Sequence, residues 1–243
     1  MGLPKIDTPV YEIELPISKK KLKFRPFLVK EQKNLLMAYE ADDAETINNN
    51  IKQILLNCII DEKIDIDEIP IVDIEYYFLQ LRARSVGEIV DAKYRCNNIV
   101  GEGDTTCNNI MEASINVLDI NITQNNEIKN IIPITETISV KLKYPRFSLI
   151  KSAVKEPDVT KIALSMVVDS IECIYDGEET HYAKDYEKED LLEFLESLNQ
   201  HQFASIEEFF ENLPRLDKTV NIKCSKCGFD HELYFEGLES FFD

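Results

Sequence analysis

Two pairs of cysteines, separated by more than a hundred residues, constrain this chain more than any other feature of its sequence. Cys224-Ser225-Lys226-Cys227-Gly228 places two thiols at the apex of a predicted hairpin, with one strand over 220–223 and the other over 232–235. Upstream, Cys96 follows a predicted strand over 89–94 and Cys107 precedes another over 111–117, again at the head of a hairpin. Two thiolates two residues apart across a tight turn can share one tetrahedral cation, and a glycine after the second supplies the backbone freedom the turn needs. The gap between Cys96 and Cys107 is wider, ten residues, but Gly101-Glu102-Gly103-Asp104 lets the chain loop out and return. With the two hairpins side by side, four thiolates converge, and the chain is expected to hold a split, zinc-ribbon-like site.

The expected metal ligands are therefore Cys96, Cys107, Cys224 and Cys227, and the expected cofactor is a structural Zn2+, with iron as the competing occupant of a tetrathiolate. His231, four residues past Cys227, is an alternative fourth ligand. Four protein ligands leave no open position, so such a site contributes folding free energy and no catalysis. A thioredoxin-like redox pair fits poorly, because its C-x-x-C sits on a strand-to-helix turn, whereas strand is expected after Cys227. The N-terminus carries neither the cationic start nor the apolar stretch of a signal peptide, so the expected compartment is the cytosol, where thiols stay reduced. Cys58 and Cys173 fall in segments with helical apolar spacing, where a buried thiol is commonplace; neither is given a role.

The remaining pattern alternates between β and α. A hairpin is expected from Tyr11 to Leu15 and Leu22 to Arg25, and its turn and second strand carry Lys19, Lys20, Lys21, Lys23 and Arg25, a basic island suited to an acidic partner or a phosphate, or to guarding an edge strand. Helical spacing follows through Leu35, Leu36 and Tyr39, through Ile47, Ile51, Ile54, Leu55 and Cys58, and then over 72–84 after Pro70, ending near Gly87. After the first cysteine hairpin and a polar, Asn-rich stretch over 121–130 comes an alternating strand over 138–142. Beyond Pro145 the chain is expected to be helical over 162–174, 185–199 and 205–213, the last two being acidic and amphipathic, with apolar faces through Leu191, Leu195, Ile206 and Phe209. Phe241-Phe242 lie beside the C-terminus, as a docking peptide or a last packed turn.

Acidic residues outnumber basic ones 45 to 27 among 243 residues, a formal net charge of -18. Nucleic acids and anionic membranes select for excess cation, so neither is an expected partner, and a zinc-ribbon nucleic-acid adaptor ranks low among the function classes. No apolar run reaches the roughly 18 residues that span a bilayer. No Ser/His/Asp arrangement, phosphate-binding glycine loop or H-E-x-x-H is present, and no enzyme is expected.

Ordered motifs run through nearly the whole chain. They are Leu3-Pro4-Lys5-Ile6-Asp7-Thr8-Pro9, Tyr11, Leu15-Pro16, the run from Phe24 through Arg25-Pro26-Phe27-Leu28-Val29-Lys30-Glu31-Gln32-Lys33, Leu35-Leu36-Met37-Ala38, and Asp73-Ile74-Glu75-Tyr76 with Leu79 and Arg82. Ser85-Val86-Gly87-Glu88, Lys141-Leu142-Lys143-Tyr144-Pro145 and the run from Glu236 to Phe242 follow in order. Together they resemble the baseplate hub subunit family of T-even-like contractile-tailed phages. The resemblance implies a non-enzymatic part in assembling the central hub of the baseplate in the host cytoplasm, with other hub proteins as partners. The chain would then either stay in the virion or leave as a transient assembly chaperone. The family supplies no metal site; that expectation rests on the cysteines alone.

The expected fold class is α+β: an N-terminal β-hairpin and helices, a central β region with a split zinc-ribbon-like pair of hairpins, and a helical segment toward the C-terminus. Because the first and last parts of the β region would share one metal, residues 1–243 are expected to form one interleaved domain. Its lobes would be 1–87, 88–145 with 215–243, and 146–214.

Overall fold

The structure, a computed structural model, describes residues 6–40, 44–60, 64–101, 105–123, 128–149 and 158–236. Strands β1 (Tyr11–Glu14) and β2 (Lys21–Phe24) form the N-terminal hairpin, with Tyr11 opposite Phe24 and Glu14 opposite Lys21. Alternation sorts its faces: Leu22 and Phe24 are fully buried while Lys21 and Lys23 point to solvent. Helices α1 (Val29–Glu40) and α2 (Ala44–Cys58) follow; the side chains of Leu35, Leu36, Tyr39 and Ile47 lie outside the described residues.

Helix α3 (Ile71–Ser85) is the hinge of the architecture, because it buries two faces. Ile74, Tyr77, Phe78 and Leu81 enter one core with Leu15, Leu22, Phe24, Ile54, Leu55 and the distant Phe147. Tyr77 stacks edge-on against Phe24 at 5.4 Å, and its hydroxyl donates to the Leu55 carbonyl at 3.1 Å, so this buried phenol is satisfied. The opposite face of α3, with Val72, Leu79 and Ala83, packs on Val90, Ile115, Val117, Ile120 and Leu216. Asp73, wholly buried in the first turn of α3, accepts the backbone N–H groups of Ile17 and Ser18, each at 2.8 Å. One carboxylate thus pins the turn of the N-terminal hairpin to the helix.

Strands β3 (Ile89–Arg95) and β4 (Ile110–Asn116) make the first cysteine hairpin. The short β5 (Asn121–Thr123) pairs with β10 (Arg215–Lys223), which pairs in turn with β11 (Asp230–Glu236). A separate antiparallel sheet runs in the order β6 (Ile131–Pro133), β7 (Ile138–Leu142), β8 (Ile171–Asp176), β9 (Glu179–Tyr182). Val140, Leu142, Ile171 and Ile174 of this sheet pack in one core with Val167 and Val168 of α4 (Val159–Ser170), Leu191 and Leu195 of α5 (Lys188–Glu196), and Ile206 and Phe209 of α6 (Gln200–Glu211). Asp158 caps α4 by accepting from the Thr160 N–H at 2.9 Å, and Asn199 with Gln202 forms a reciprocal capping box at the start of α6. Among the described residues no helix is long and apolar enough to cross a membrane.

The fold is α+β, as expected, and two local expectations need correction. The helix expected over 162–174 ends at Ser170, so Cys173 is a buried strand residue of β8 and not a helical one. The run Ile171-Glu172-Cys173-Ile174-Tyr175 is rich in β-formers and finds partners on both sides, β7 and β9, which outweigh its local helical spacing. Asp176-Gly177 turns the chain between β8 and β9, with Gly177 at φ 59°, a hairpin signal present in the sequence. In the basic island, Arg25 faces inward: its guanidinium donates to the Asn57 and Pro26 carbonyls and pairs with the buried Glu31 at 3.0 Å. Lys23 pairs with Glu12 across the hairpin at 3.6 Å, leaving the cationic tip to Lys19, Lys20 and Lys21. Phe241 and Phe242 lie outside the described residues.

Candidate metal centre

The two cysteine hairpins meet at their heads. β3 delivers Cys96 directly after its last residue and β10 does the same for Cys224, while Cys107 and Cys227 sit on the returning limbs before β4 and β11. Each turn is closed by the same pair of backbone hydrogen bonds. The Cys224 N–H donates to the Phe229 carbonyl and the Gly228 N–H to the Cys224 carbonyl, both at 2.8 Å; the Cys96 N–H donates to the Asn109 carbonyl at 2.8 Å and the Asn108 N–H to the Cys96 carbonyl at 3.0 Å. The insert between Cys96 and Cys107 leaves this frame intact because its described limbs, 97–101 and 105–106, continue as their own small ladder: Ile99 bridges Thr106, and the Val100 N–H donates to the Thr105 carbonyl at 2.9 Å. Residues 102–104 of that insert lie outside the described residues.

The result is a group of four sulfurs from Cys96, Cys107, Cys224 and Cys227, all within 4.8 Å of one another. Cys96 approaches Cys227 at 3.7 Å and Cys107 approaches Cys224 at 3.8 Å, each contact joining opposite hairpins. These separations exclude disulfides, whose sulfurs lie about 2.05 Å apart. They match a tetrahedral metal centre, since a zinc–sulfur length of about 2.3 Å sets a sulfur–sulfur edge of about 3.8 Å. Four thiols at these spacings can bind a metal. Cys96, Cys107 and Cys224 are buried, Cys227 is partly exposed, and Met111, Tyr94, Val100 and Ile222 pack around them.

Burial and backbone hydrogen bonds act in opposite directions on these thiols. Burial pushes the Cys96 thiol up to about 12, with the neighbouring thiols adding to the rise. Cys224 is held down at about 6, first by the backbone N–H of Cys227 and then against its own burial by the N–H of Lys226. Cys227 is lowered as well, chiefly by the backbone N–H of Phe229.

His231 stands beside this group. Its Nε2 lies 3.1 Å from the Cys96 sulfur, and its buried ring is stacked edge-on by Phe229 at 4.8 Å and Tyr94 at 5.4 Å. Asn98 Nδ2 donates to the Cys227 sulfur and Asn109 Nδ2 to the Cys224 sulfur, both at 3.6 Å. Neither asparagine was picked out by cysteine spacing. Their signal is the repeated Cys-Asn-Asn of Cys96-Asn97-Asn98 and Cys107-Asn108-Asn109.

Elsewhere the titratable groups assemble no comparable centre among the described residues. Cys58 is buried against Arg25 in the first core, its thiol pushed up to about 11 by burial. His181 bonds the Tyr186 hydroxyl at 2.7 Å on an exposed surface. An open groove of about 450 Å³ between α4 and α5, lined by Ile162, Met166, Val168 and Leu192, lies among apolar side chains away from the cysteines.

The family model described as T4 bacteriophage base plate protein matches residues 8–243. No curated protein and no solved structure matches the chain.

Proposed function

The chain belongs to the T4 bacteriophage base plate protein family, and on that premise we propose that it is a non-enzymatic protein of the baseplate's central hub, built around a structural zinc held by Cys96, Cys107, Cys224 and Cys227. A member of a baseplate family contacts other baseplate proteins, and a tail component of the virion is the place such a family occupies. The hub assignment narrows this further and is supported by the ordered motifs from Leu3 to Phe242. The metal assignment is supported by one observation above the rest, four sulfurs mutually within 4.8 Å in a closed, largely buried group. The closed donor set leaves no position for a substrate, so the cation's part is to join two hairpins distant in sequence. The net charge of -18 speaks for protein partners over nucleic acid or anionic lipid. Assembly takes place in the host cytoplasm, and the chain is one interleaved domain, since β10 and β11 return to complete a region begun by β3, β4 and β5.

Mass spectrometry of purified phage particles, beside metal analysis of the recombinant chain, tests this function. A fixed ratio to the other baseplate proteins, with one zinc per chain, is the expected result. Absence from particles, with the chain bound to hub precursors in infected cells, makes it a transient assembly chaperone instead. A metal-free chain with native stability would overturn the structural zinc.

A further inference from the structure

A tetrathiolate that holds a divalent cation keeps about two net negative charges, and here it is buried in a protein that already carries -18. Excess negative charge without water needs compensation from oriented donors. The ammonium of Lys226, between the two cysteines of the second turn, donates to the Cys107 carbonyl at 3.2 Å. The sulfurs are met by N–H groups. Those of the backbone come from within each turn: Asn98 to Cys96, Lys226 and Cys227 to Cys224, and Phe229 to Cys227.

The side-chain donors follow a different rule. Asn98 and Asn109, each two residues beyond a cysteine of the first hairpin, reach sulfurs of the second, on Cys227 and Cys224 at 3.6 Å. His231, on the second hairpin, reaches back to Cys96 at 3.1 Å. All three contacts cross between the hairpins. Asn109 also donates to Ser225 Oγ at 3.3 Å, fixing its amide over the second turn. The Phe229 and Tyr94 rings hold the plane of the imidazole, so in the Nε2–H tautomer its proton points at Cys96.

We propose that Asn98, Asn109 and His231 are positioning residues of the metal centre, whose cross-hairpin hydrogen bonds to sulfur set how tightly the tetrathiolate holds its cation. This rests on the structural metal proposed above. The donors stabilise thiolate over thiol and fix each Cβ–Sγ bond in the orientation the tetrahedron needs, a role outer ligands play in other metal sites. The insert between Cys96 and Cys107 gains a function from this, because it carries Asn98 and places that amide over the opposite hairpin.

The test is Co2+ and Zn2+ titration of the full chain and of Asn98→Ala, Asn109→Ala, His231→Ala and the shape-preserving Asn98→Asp, with Zn2+ affinity read by competition with a chromophoric chelator. The expected wild-type result is a four-sulfur Co2+ spectrum. Each asparagine variant is expected to keep that spectrum, bind Zn2+ about 10- to 100-fold more weakly, and shift the sulfur-to-cobalt band to longer wavelength, since a sulfur without its donor holds its lone pair less tightly. Asn98→Asp, which keeps the shape and loses the donor, should lose at least as much affinity as Asn98→Ala. Unchanged affinity and band position in the asparagine variants overturn the inference while the metal site stands. So does a loss of melting temperature in the metal-free variants that accounts for the whole change in affinity, for then the asparagines merely staple the hairpins. A wild-type spectrum of three sulfurs and one nitrogen that His231→Ala abolishes makes His231 a ligand and overturns its part. A wild-type chain that binds neither metal removes the structural zinc itself, an outcome distinct from all of these.

Discussion

Asn108 stands in the first cysteine hairpin where Gly228 stands in the second: each follows the second cysteine of its turn, and each has a positive φ, 54° and 74°. Each donates its backbone N–H to the carbonyl of the turn's first cysteine. The two turns are therefore one device used twice, although their cysteine spacings differ by eight residues. The left-handed backbone lets each turn close on its first cysteine, and the sulfurs of both turns lie within 4.8 Å of one another.

That equivalence predicts asymmetric responses to substitution. A Cβ at Gly228 would meet nothing within 4 Å, so Gly228→Ala costs only the backbone conformation, about 1–2 kcal/mol. Asn108→Gly should be neutral or slightly stabilising, and Asn108→Val should lose more than Gly228→Ala. Urea unfolding of the metal-loaded chain checks all three.

Cys224→Ser combined with Cys227→Ser removes half of the sulfurs and is expected to abolish stoichiometric metal. A loss of about 3 kcal/mol or more would lower Tm by roughly 10 °C in a chain of this size. An unchanged Tm with unchanged metal content would falsify the structural metal.

Asp73→Ala leaves the half-buried N–H groups of Ile17 and Ser18 without their acceptor. Two hydrogen bonds to a charged group are lost while water can reach the freed donors in part, and a destabilisation of about 1–3 kcal/mol is expected. Protection of the 15–20 turn against hydrogen exchange should fall with it, while metal content stays the same.

Glu31 predicts a pH dependence. Burial pushes its carboxyl up, but the Arg25 guanidinium and the Leu28 N–H outweigh burial and hold it below the ordinary range. A depressed folded value stabilises above the ordinary glutamate pKa of about 4.3 and is lost as pH falls through the lower folded value. Glu31→Gln should reduce stability at neutral pH and flatten the acid limb of a Tm-against-pH profile. An acid limb as steep as that of the wild type would show that Glu31 does not contribute.

A chain cut near residue 150 should fail to fold from either side. The N-terminal piece would leave β7 without β8, β5 without β10, and Cys96 and Cys107 without the other two sulfurs. Limited proteolysis of the separately expressed pieces should show neither resistant, and a stable 1–150 fragment would refute an interleaved domain.

Much of this architecture is legible in short stretches of sequence. Strict alternation fixes β7 at residues 138–142, and the helical apolar spacing after Pro70 fixes α3, though not that it buries two faces. β8 is misread because Ile171, Cys173 and Ile174 continue the apolar spacing of α4 without a glycine or proline between them; only strands on both sides decide the matter. Arg25 is misread for a similar reason, since nothing nearby in sequence announces that the buried Glu31 draws it inward.

The sequence by itself singled out Cys96, Cys107, Cys224 and Cys227 as one group, because thiol chemistry and the spacing of these residues at hairpin heads depend on neighbours along the chain. Its ordered motifs likewise carried the family. Only the tertiary structure decided that the two hairpins meet with their four sulfurs within 4.8 Å of one another, and that Asn98, Asn109 and His231 cross from one hairpin to the other. The physical reason is range. Turn geometry and periodicity act over a few residues, whereas the approach of β3 and β4 to β10 and β11 depends on α3, β5 and Leu216 packing between segments far apart in sequence.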